Sequence, residues 1–346
     1  MNMFMNVAAE ATMRYVGLDV GFGYTKAMPV LSGQGNAANA VLFPSIVSPA
    51  VDLAFRSGLD GQTGSLDHLA VILDGASYFV GTLARRQGQF ARATLDRVRT
   101  QSQEYRVLFL TALALLAESS SEEYAVVTGL PVDDFDDRAV IEDTLSGRFH
   151  ITVGGRTLDL FVRHLTVVPQ PYGALMDLIF KDTLGNVDER YAKARVGIVD
   201  IGFKTTDFVL MHQGEFVQKG SGSLKAAMSA VYQAAIPKFT SRYPGNWDAP
   251  GIETALRDGA INVLGNRLEF DAALIDAELT GLAGEIVAWI QGRWSSQPID
   301  YLISSGGGSL LLKPLLLKAF PQMVFIGDPQ LANVRGYHKA AWFYHG

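Results

Sequence analysis

The chain of 346 residues contains no cysteine. That excludes disulfides, thiolate metal sites and cysteine nucleophiles together. It also lacks a long apolar run. The longest, Val107–Ala117, has 11 residues and is flanked by Arg106 and Glu118. A bilayer span needs about 20, so this stretch reads as a buried helix. Positive charge is not in excess: 29 basic against 35 acidic side chains give a net charge of −6. Such a balance does not suit direct, charge-driven nucleic-acid binding. The opening MNMFMNVAAEATMR has neither a basic n-region nor a sustained apolar stretch, so it reads as a loose leader, not a signal peptide. A cytoplasmic protein without membrane insertion is expected. Neither G-x-x-x-x-G-K-[ST] nor G-x-G-x-x-G is present, so both common nucleotide-binding folds lack their motif.

What is present is globular in composition, 48% hydrophobic and 18% charged. The length fits two domains or one large one. Strand-like and helix-like segments alternate, which makes the class α/β. Strands are expected at Arg14–Gly21, Tyr24–Val30, Ala40–Val47, Tyr124–Gly129, Phe149–Val153 and Leu158–Val168, with a helix at Ser102–Glu118. After Pro169–Gln170–Pro171 a helix follows, and then the opening arrangement returns. Val196–Gly202, Thr206–His212 and Glu215–Lys219 read as strands, and Leu224–Arg242 as a helix. Asp276–Arg293, Leu310–Ala319 and Gln330–Phe343 read as helices, with strands at Tyr301–Ser305 and Met323–Ile326.

The informative feature is a repeat. Asp19–Thr25 reads DVGFGYT and Asp200–Thr206 reads DIGFKTT, 181 positions later. Each follows an apolar strand and leads into another, which points to two similar domains facing each other. A tight Gly-containing hairpin presents backbone N–H groups in a concave array suited to phosphate oxygens. Gly21, Gly23 and Gly202 allow close backbone approach. Thr25, Thr205 and Thr206 add hydroxyls, and Lys26 and Lys204 add positive charge. Asp19 and Asp200 would repel phosphate directly. They make sense around Mg²⁺, which is held by one or two carboxylates, waters and phosphate oxygens. The plainer alternative is a pair of hairpins whose Asp residues cap turns. A third motif, LISSGGGSLLL at Leu302–Leu312, ends a strand in three glycines, after which Ser309 can cap a helix.

Two D-x-G hairpins half a chain apart, a later strand–GGG–helix and a Pro-bounded helix between them resemble the actin-like ATPase superfamily. Within it, Val168–Ala174 (VPQPYGA), Asp200–Asp207 (DIGFKTTD) and Ala332–Tyr337 (ANVRGY) resemble the bacterial and archaeal actin-like proteins of the ParM/StbA plasmid-segregation type. The resemblance implies an actin-like fold, two RNase-H-like domains flanking a nucleotide cleft. Domain I would be 14–168, with an inserted subdomain about 50–95, completed by the C-terminal helix about 328–346. Domain II would be 169–327, with an insert about 243–275. ATP or ADP with Mg²⁺ would lie between them. Asp19, Gly21, Phe22, Gly23, Tyr24, Thr25 and Lys26 form the implied first phosphate hairpin, and Asp200, Gly202, Phe203, Lys204, Thr205 and Thr206 the second. Ser305, Gly306, Gly307, Gly308 and Ser309 would touch the adenosine. Asp19 and Asp200 are the implied metal anchors, partly through water, and Gln170 and Asp200 the implied catalytic pair. Gln170 falls where the family places the residue that orients the attacking water. ParM-type proteins often carry Glu there, whereas a neutral amide orients water without taking its proton. Without the family, Gln170 could equally be a turn element with Pro171 opening the helix. Phe203–Lys204 stand where many relatives have small residues; Lys204 either reaches a phosphate or faces solvent.

The activity implied is ATP hydrolysis coupled to head-to-tail polymerisation, for plasmid DNA segregation. The partners are other copies of the chain and a DNA-binding adaptor. The competing reading is a sugar or pantothenate kinase of the same superfamily, whose base would come from Asp133, Asp134, Asp136 or Asp137. Acids after Pro131 also suit a solvated helix start. A chaperone is disfavoured, because no residues remain for a peptide-binding domain.

Overall fold

A computed structural model describes residues 13–29, 40–52, 65–88, 92–93, 99–181, 186–263 and 265–346. The N-terminal leader lies outside them. The strands are β1 (Arg14–Val20), β2 (Tyr24–Pro29), β3 (Val41–Pro44), β4 (Ile46–Pro49), β5 (Leu69–Leu73), β6 (Ala76–Val80), β7 (Arg92–Ala93), β8 (Ser121–Leu130), β9 (Gly147–Val153) and β10 (Arg156–Pro169) in the first half. The second half has β11 (Arg195–Ile201), β12 (Thr206–His212), β13 (Glu215–Phe216), β14 (Gly222–Leu224), β15 (Ala260–Val263), β16 (Asn266–Glu269), β17 (Tyr301–Ser305) and β18 (Val324–Phe325). The helices are α1 (Thr82–Gln87), α2 (Gln103–Leu116), α3 (Arg138–Leu145), α4 (Tyr172–Ile179), α5 (Glu189–Ala192), α6 (Met228–Arg242), α7 (Ala249–Asp258), α8 (Asp276–Trp294), α9 (Ser309–Ala319) and α10 (Ala332–His345).

Two mixed sheets carry these elements. The first runs β3-β2-β1-β8-β10-β9-β5-β6-β4-β7, and the second β13-β12-β11-β17-β18 with β14 beside β12. In both, an antiparallel hairpin (β1–β2, β11–β12) lies beside a parallel strand (β8, β17). The repeat read in the sequence is therefore a repeat of sheet topology. The apolar run at 107–117 is α2 and its C-cap, buried against the first sheet with Val16, Leu18, Val126 and Leu160. Ser102 caps its start, the Tyr105 N–H donating to Ser102 Oγ at 3.1 Å. A second core packs α6, α8 and α9 on β11 and β12. A third lies between the sheets and is built around α4 and α10. There the two helices cross so closely that a side chain at Gly336 would strike the Gly173 carbonyl, and one at Gly17 would strike α10. The C-terminal helix thus packs back on β1 and β8, far from its neighbours in sequence.

Several boundaries differ from the sequence expectation. The strand expected at 40–47 is two strands, because β3 pairs with β2 as far as Pro44 and β4, after Ser45, pairs instead with β6 and β7. The segment expected as the first insert, about 50–95, adds β5, β6 and β7 beside β4 at the edge of the first sheet. The strand expected at 215–219 stops at Phe216, where a 3-10 turn at Gln218–Gly220 leads into β14. Helix α6 accordingly begins at Met228, four residues later than expected. The second insert contains α7 and the β15–β16 hairpin.

Candidate functional site

The two repeated hairpins turn identically. Gly21 N–H donates to Tyr24 O at 3.0 Å, and Gly202 N–H donates to Thr205 O at 3.0 Å. Their tips meet. A Cβ on Gly23 would lie 3.1 Å from Phe203 Cβ, so a larger residue would push the hairpins apart. Lys204 Nζ sits 4.9 Å from the centre of the Phe22 ring, which attracts a cation to its face.

Alternation along a strand decides which side chains reach the space between them. On β2, Tyr24 and Lys26 line the cleft. Thr25 points away, fully buried, with its hydroxyl 2.9 Å from that of Ser45. At the start of β12, Thr205 and Asp207 line the cleft, while the Thr206 hydroxyl donates to Ala226 O at 2.8 Å. The hydroxyls of Thr25 and Thr206 therefore do not face the site that the sequence reading gave them. Lys204 lies outside the cleft lining, at an adjoining opening with Asp133, Asp134 and Lys225 that shares Phe22 and Thr205 with the cleft. Asp133 and Asp134 are thus on that side as well.

The charges are arranged unequally. Asp19, buried, accepts from Lys26 Nζ at 2.8 Å and from Gln170 Nε2 at 3.1 Å. Asp200, also buried, accepts from Asn333 Nδ2 at 2.6 Å and Ser305 Oγ at 3.2 Å. Burial raises the Asp200 carboxyl above the usual range; Asn333 and Lys26 oppose the rise, and the Asp19 charge adds to it. Asp207 is the cross-strand partner of Asp200. It accepts from Ser223 Oγ, from Thr205 Oγ1 at 2.8 Å and from Val132 N–H, in the other half, at 3.3 Å. Burial pushes it up to about 7, against those hydrogen bonds, with the Asp200 charge raising it further.

The third motif closes one wall of the cleft. Gly306 has φ 85 and lies so near Asp200 Oδ1 that no side chain fits. A Cβ on Gly308 would meet Ile201 and Met228 at 2.6 Å. Gly307 faces the opening, where the nearest atom to its Cβ position is Gln330 Cγ at 3.9 Å. Ser305 and Ser309 turn inward, to Asp200 and to Ser304 Oγ at 2.7 Å respectively. Ser309 is the first residue of α9, and Gly308 holds the cap position without a side-chain bond. Its hydroxyl does not cap the helix as expected.

Asp207, Met228, Tyr232, Glu253, Gln330 and Asn333 also line the cleft and were not singled out from the sequence. Burial raises the Glu253 carboxyl, opposed by Arg257, Arg85 and Lys26. A signal for Asp207 existed, since it stands where the repeat puts Lys26. Asn333 lies inside ANVRGY. Among the described residues no group of three or more acidic or histidine side chains is arranged to hold a metal ion unaided, and no helix is long and apolar enough to cross a membrane.

Residues 17–173 match the family model for the actin-like proteins' N-terminal domain, and residues 198–318 match that for the archaeal actin homologue MreB-like C-terminal domain. The chain belongs to the actin-like proteins. Solved structures share the fold of this actin-like protein over nearly its whole length. A 15-stranded ParM filament from Clostridium botulinum is 26% identical, with 95% of this chain and 99% of that one covered and a TM-score of 0.74. An archaeal actin homologue in complex with ADP is 21% identical, with 94% and 98% covered and a TM-score of 0.74. Bacillus thuringiensis ParM with AMPPNP is 16% identical, with 96% and 99% covered and a TM-score of 0.73. No curated protein matches the actin-like chain in sequence. The actin-like fold with two facing sheets and a cleft between their hairpins is as the resemblance implied.

Proposed function

We propose that this actin-like protein is a cytoplasmic ATPase that polymerises with ATP–Mg²⁺, disassembles after hydrolysis and serves plasmid DNA segregation through an adaptor. The observation that carries the reading is the pair of superposable hairpins meeting tip to tip over a cleft. It is supported by relatives solved as a filament, with ADP and with AMPPNP. The donor set fits a nucleotide polyphosphate with a hard cation. Asp19 and Asp200 bring two carboxylates near one ammonium, that of Lys26, and a divalent ion held largely by water and phosphate oxygens would balance the excess. The bound nucleotide would supply the phosphoanhydride bond, and Mg²⁺ would offset its charge.

The protein's own groups divide the remaining work. The turns of both hairpins line the cleft, and Lys26 adds fixed positive charge. The Gln170 amide nitrogen is anchored on Asp19, which turns its carbonyl end toward water as an acceptor. Asp200 and Asp207 would hold the cation's water shell, and burial raises the Asp207 carboxyl to about 7. Subunit contacts spanning both halves then fit the closed shape only. A ligand shifts assembly by its differential affinity for the two shapes, and a contact whose symmetry does not close builds a filament. Asp133 and Asp134 line an opening that adjoins the cleft through Phe22 and Thr205. The filament reading is favoured over the kinase because a solved relative is a filament.

Light scattering and pelleting across a concentration series test this. A critical concentration lower with a non-hydrolysable ATP analogue than with ADP is expected. Protein that stays monomeric with every nucleotide, yet phosphorylates a small metabolite, would overturn it. Gln170→Ala should slow phosphate release about tenfold or more while ATP affinity stays near wild type. A fall in affinity at unchanged turnover would make Gln170 a turn residue only.

A further inference from the structure

One buried side chain joins the cleft to the helices between the sheets. Asn333, on α10, is 6% exposed. Its Nδ2 donates to Asp200 Oδ2 at 2.6 Å, and its Oδ1 accepts from the Ala174 N–H, in the first turn of α4, at 3.1 Å. The two partners fix the amide's orientation, since a carboxylate only accepts and a backbone N–H only donates. One turn further along α10, the Tyr337 hydroxyl donates to the Gln170 carbonyl at 2.6 Å. Gln170 itself immediately precedes the turn into α4, with its N–H on Leu130 O at 2.7 Å. A single face of α10 therefore touches Asp200, the start of α4 and Gln170.

Motion between these contacts is restricted. Arg335 and Lys339 both hold Asp177 of α4, at 2.6 and 2.8 Å. Gly173 and Gly336 let the helix backbones touch, leaving no room for either to slide. An amide is the group this position requires. An apolar side chain would leave the Asp200 oxygen and the Ala174 N–H without partners in a buried place. A carboxylate would set like charges 2.6 Å apart.

We infer that Asn333 is a positioning residue, which orients Asp200 in the cleft and locks it in register with the α4 turn that carries Gln170. The inference rests on the ATPase reading only for its turnover measurement. It implies that Asp200 and Gln170 move as one unit, and that disturbing Asn333 disturbs both while leaving the nucleotide's other contacts in place.

Asn333→Ala and Asn333→Ser are compared with wild type for ATP turnover, affinity for a fluorescent ATP analogue, and the titration of Asp200 by carboxyl NMR. The expected result for Asn333→Ala is turnover about 10–100-fold lower, as for loss of other carboxylate-orienting partners. Affinity should change by about threefold or less, and the acid limb of the pH–rate profile should move to higher pH. Asn333→Ser, which keeps a donor, should recover part of the loss. Unchanged turnover overturns the inference. So does a loss of rate, affinity and melting temperature together with the acid limb unmoved, which marks a merely structural role. If wild type hydrolyses no ATP, the ATPase reading fails, and a crystal structure of Asn333→Ala decides. Displacement of both the Asp200 carboxylate and the Gln170 turn upholds the positioning role, and both unmoved removes it.

Discussion

Position for position, the β1–β2 and β11–β12 hairpins share a turn, a register and an aspartate, yet they differ at the residue opposite it. Asp19 pairs across the ladder with Lys26, and Asp200 pairs with Asp207. The first hairpin is internally neutralised by an ion pair. The second concentrates two buried carboxylates and compensates them with neutral donors from Ser305, Asn333, Thr205 and Ser223. The backbone turn, which the proposed function assigns to phosphate, is common to both. The cross-strand position, which sets charge, is not. A duplicated fold can thus keep the same turn twice and still give each half a separate electrostatic environment.

Exchanging the cross-strand residues breaks the comparison most severely on the first side. Lys26→Met would leave Asp19, 1% exposed, with Gln170 alone. Removing one member of a buried ion pair typically costs about 3–5 kcal/mol. Urea denaturation at neutral pH should show a loss of that order. The double variant Lys26→Met with Asp19→Asn should recover most of it, since the uncompensated charge is gone. A single-variant loss of about 0.5 kcal/mol or less, the range of exposed pairs, would show that water already reaches Asp19.

On the second side the comparison is sharpened by pH. Asp207 titrates near 7 in the fold, against 3.8 for the ordinary group. The folded state therefore binds more protons than the unfolded one between those values. The contribution to stability is complete below about pH 4 and is lost as pH rises through about 7. His338 works the other way. Burial first, then the Lys339 charge, lowers it to about 4, so its contribution is present above its ordinary value of 6.5 and lost as pH falls through about 4. The useful quantity is the difference between wild type and Asp207→Asn, in which His338 cancels. The ligand-free variant should gain on the order of 1–3 kcal/mol over wild type at pH 8, with the gain fading toward pH 4. A pH-independent difference would mean that Asp207 is ionised throughout.

Why one cross-strand residue was legible and the other was not follows from what a single sequence displays. The strand–turn–strand repeat, the Pro-bounded α4 and the glycine turn are local, and local patterns carry backbone geometry directly. Asp207 stood in plain view inside DIGFKTTD. Its importance appears only once β12 is paired with β11 and Val132 arrives from the other half. Asn333 is more distant still, since its partners Ala174 and Asp200 are more than a hundred residues away. The threonines failed for a different reason. Residue type was read correctly, but the facing side of each strand was not, and one position along a strand reverses the face. The split at Ser45 and the early end of β13 were hidden because each depends on a contact with another element.

The smallest expected effect concerns the feature in which the hairpins are alike. Thr25 and Thr206 occupy the same place in the repeat, and both turn their hydroxyls away from the cleft. Thr25→Val leaves the Ser45 hydroxyl, fully buried, without the partner 2.9 Å away. Thr206→Val removes the donor to Ala226 O. Each should cost about 1 kcal/mol of stability, the usual net value of a hydrogen bond. Thr25→Val with Ser45→Ala should cost less than Thr25→Val alone, because both polar partners are then gone. Affinity for a fluorescent ATP analogue should change by about twofold or less in every one of these variants. Thr205→Val is the control, because Thr205 lines the cleft and donates to Asp207. It should weaken nucleotide binding where its neighbour Thr206 does not. Equal losses of affinity at Thr205 and Thr206 would mean that both hydroxyls reach the phosphates, and that the facing sides assigned to β12 are wrong.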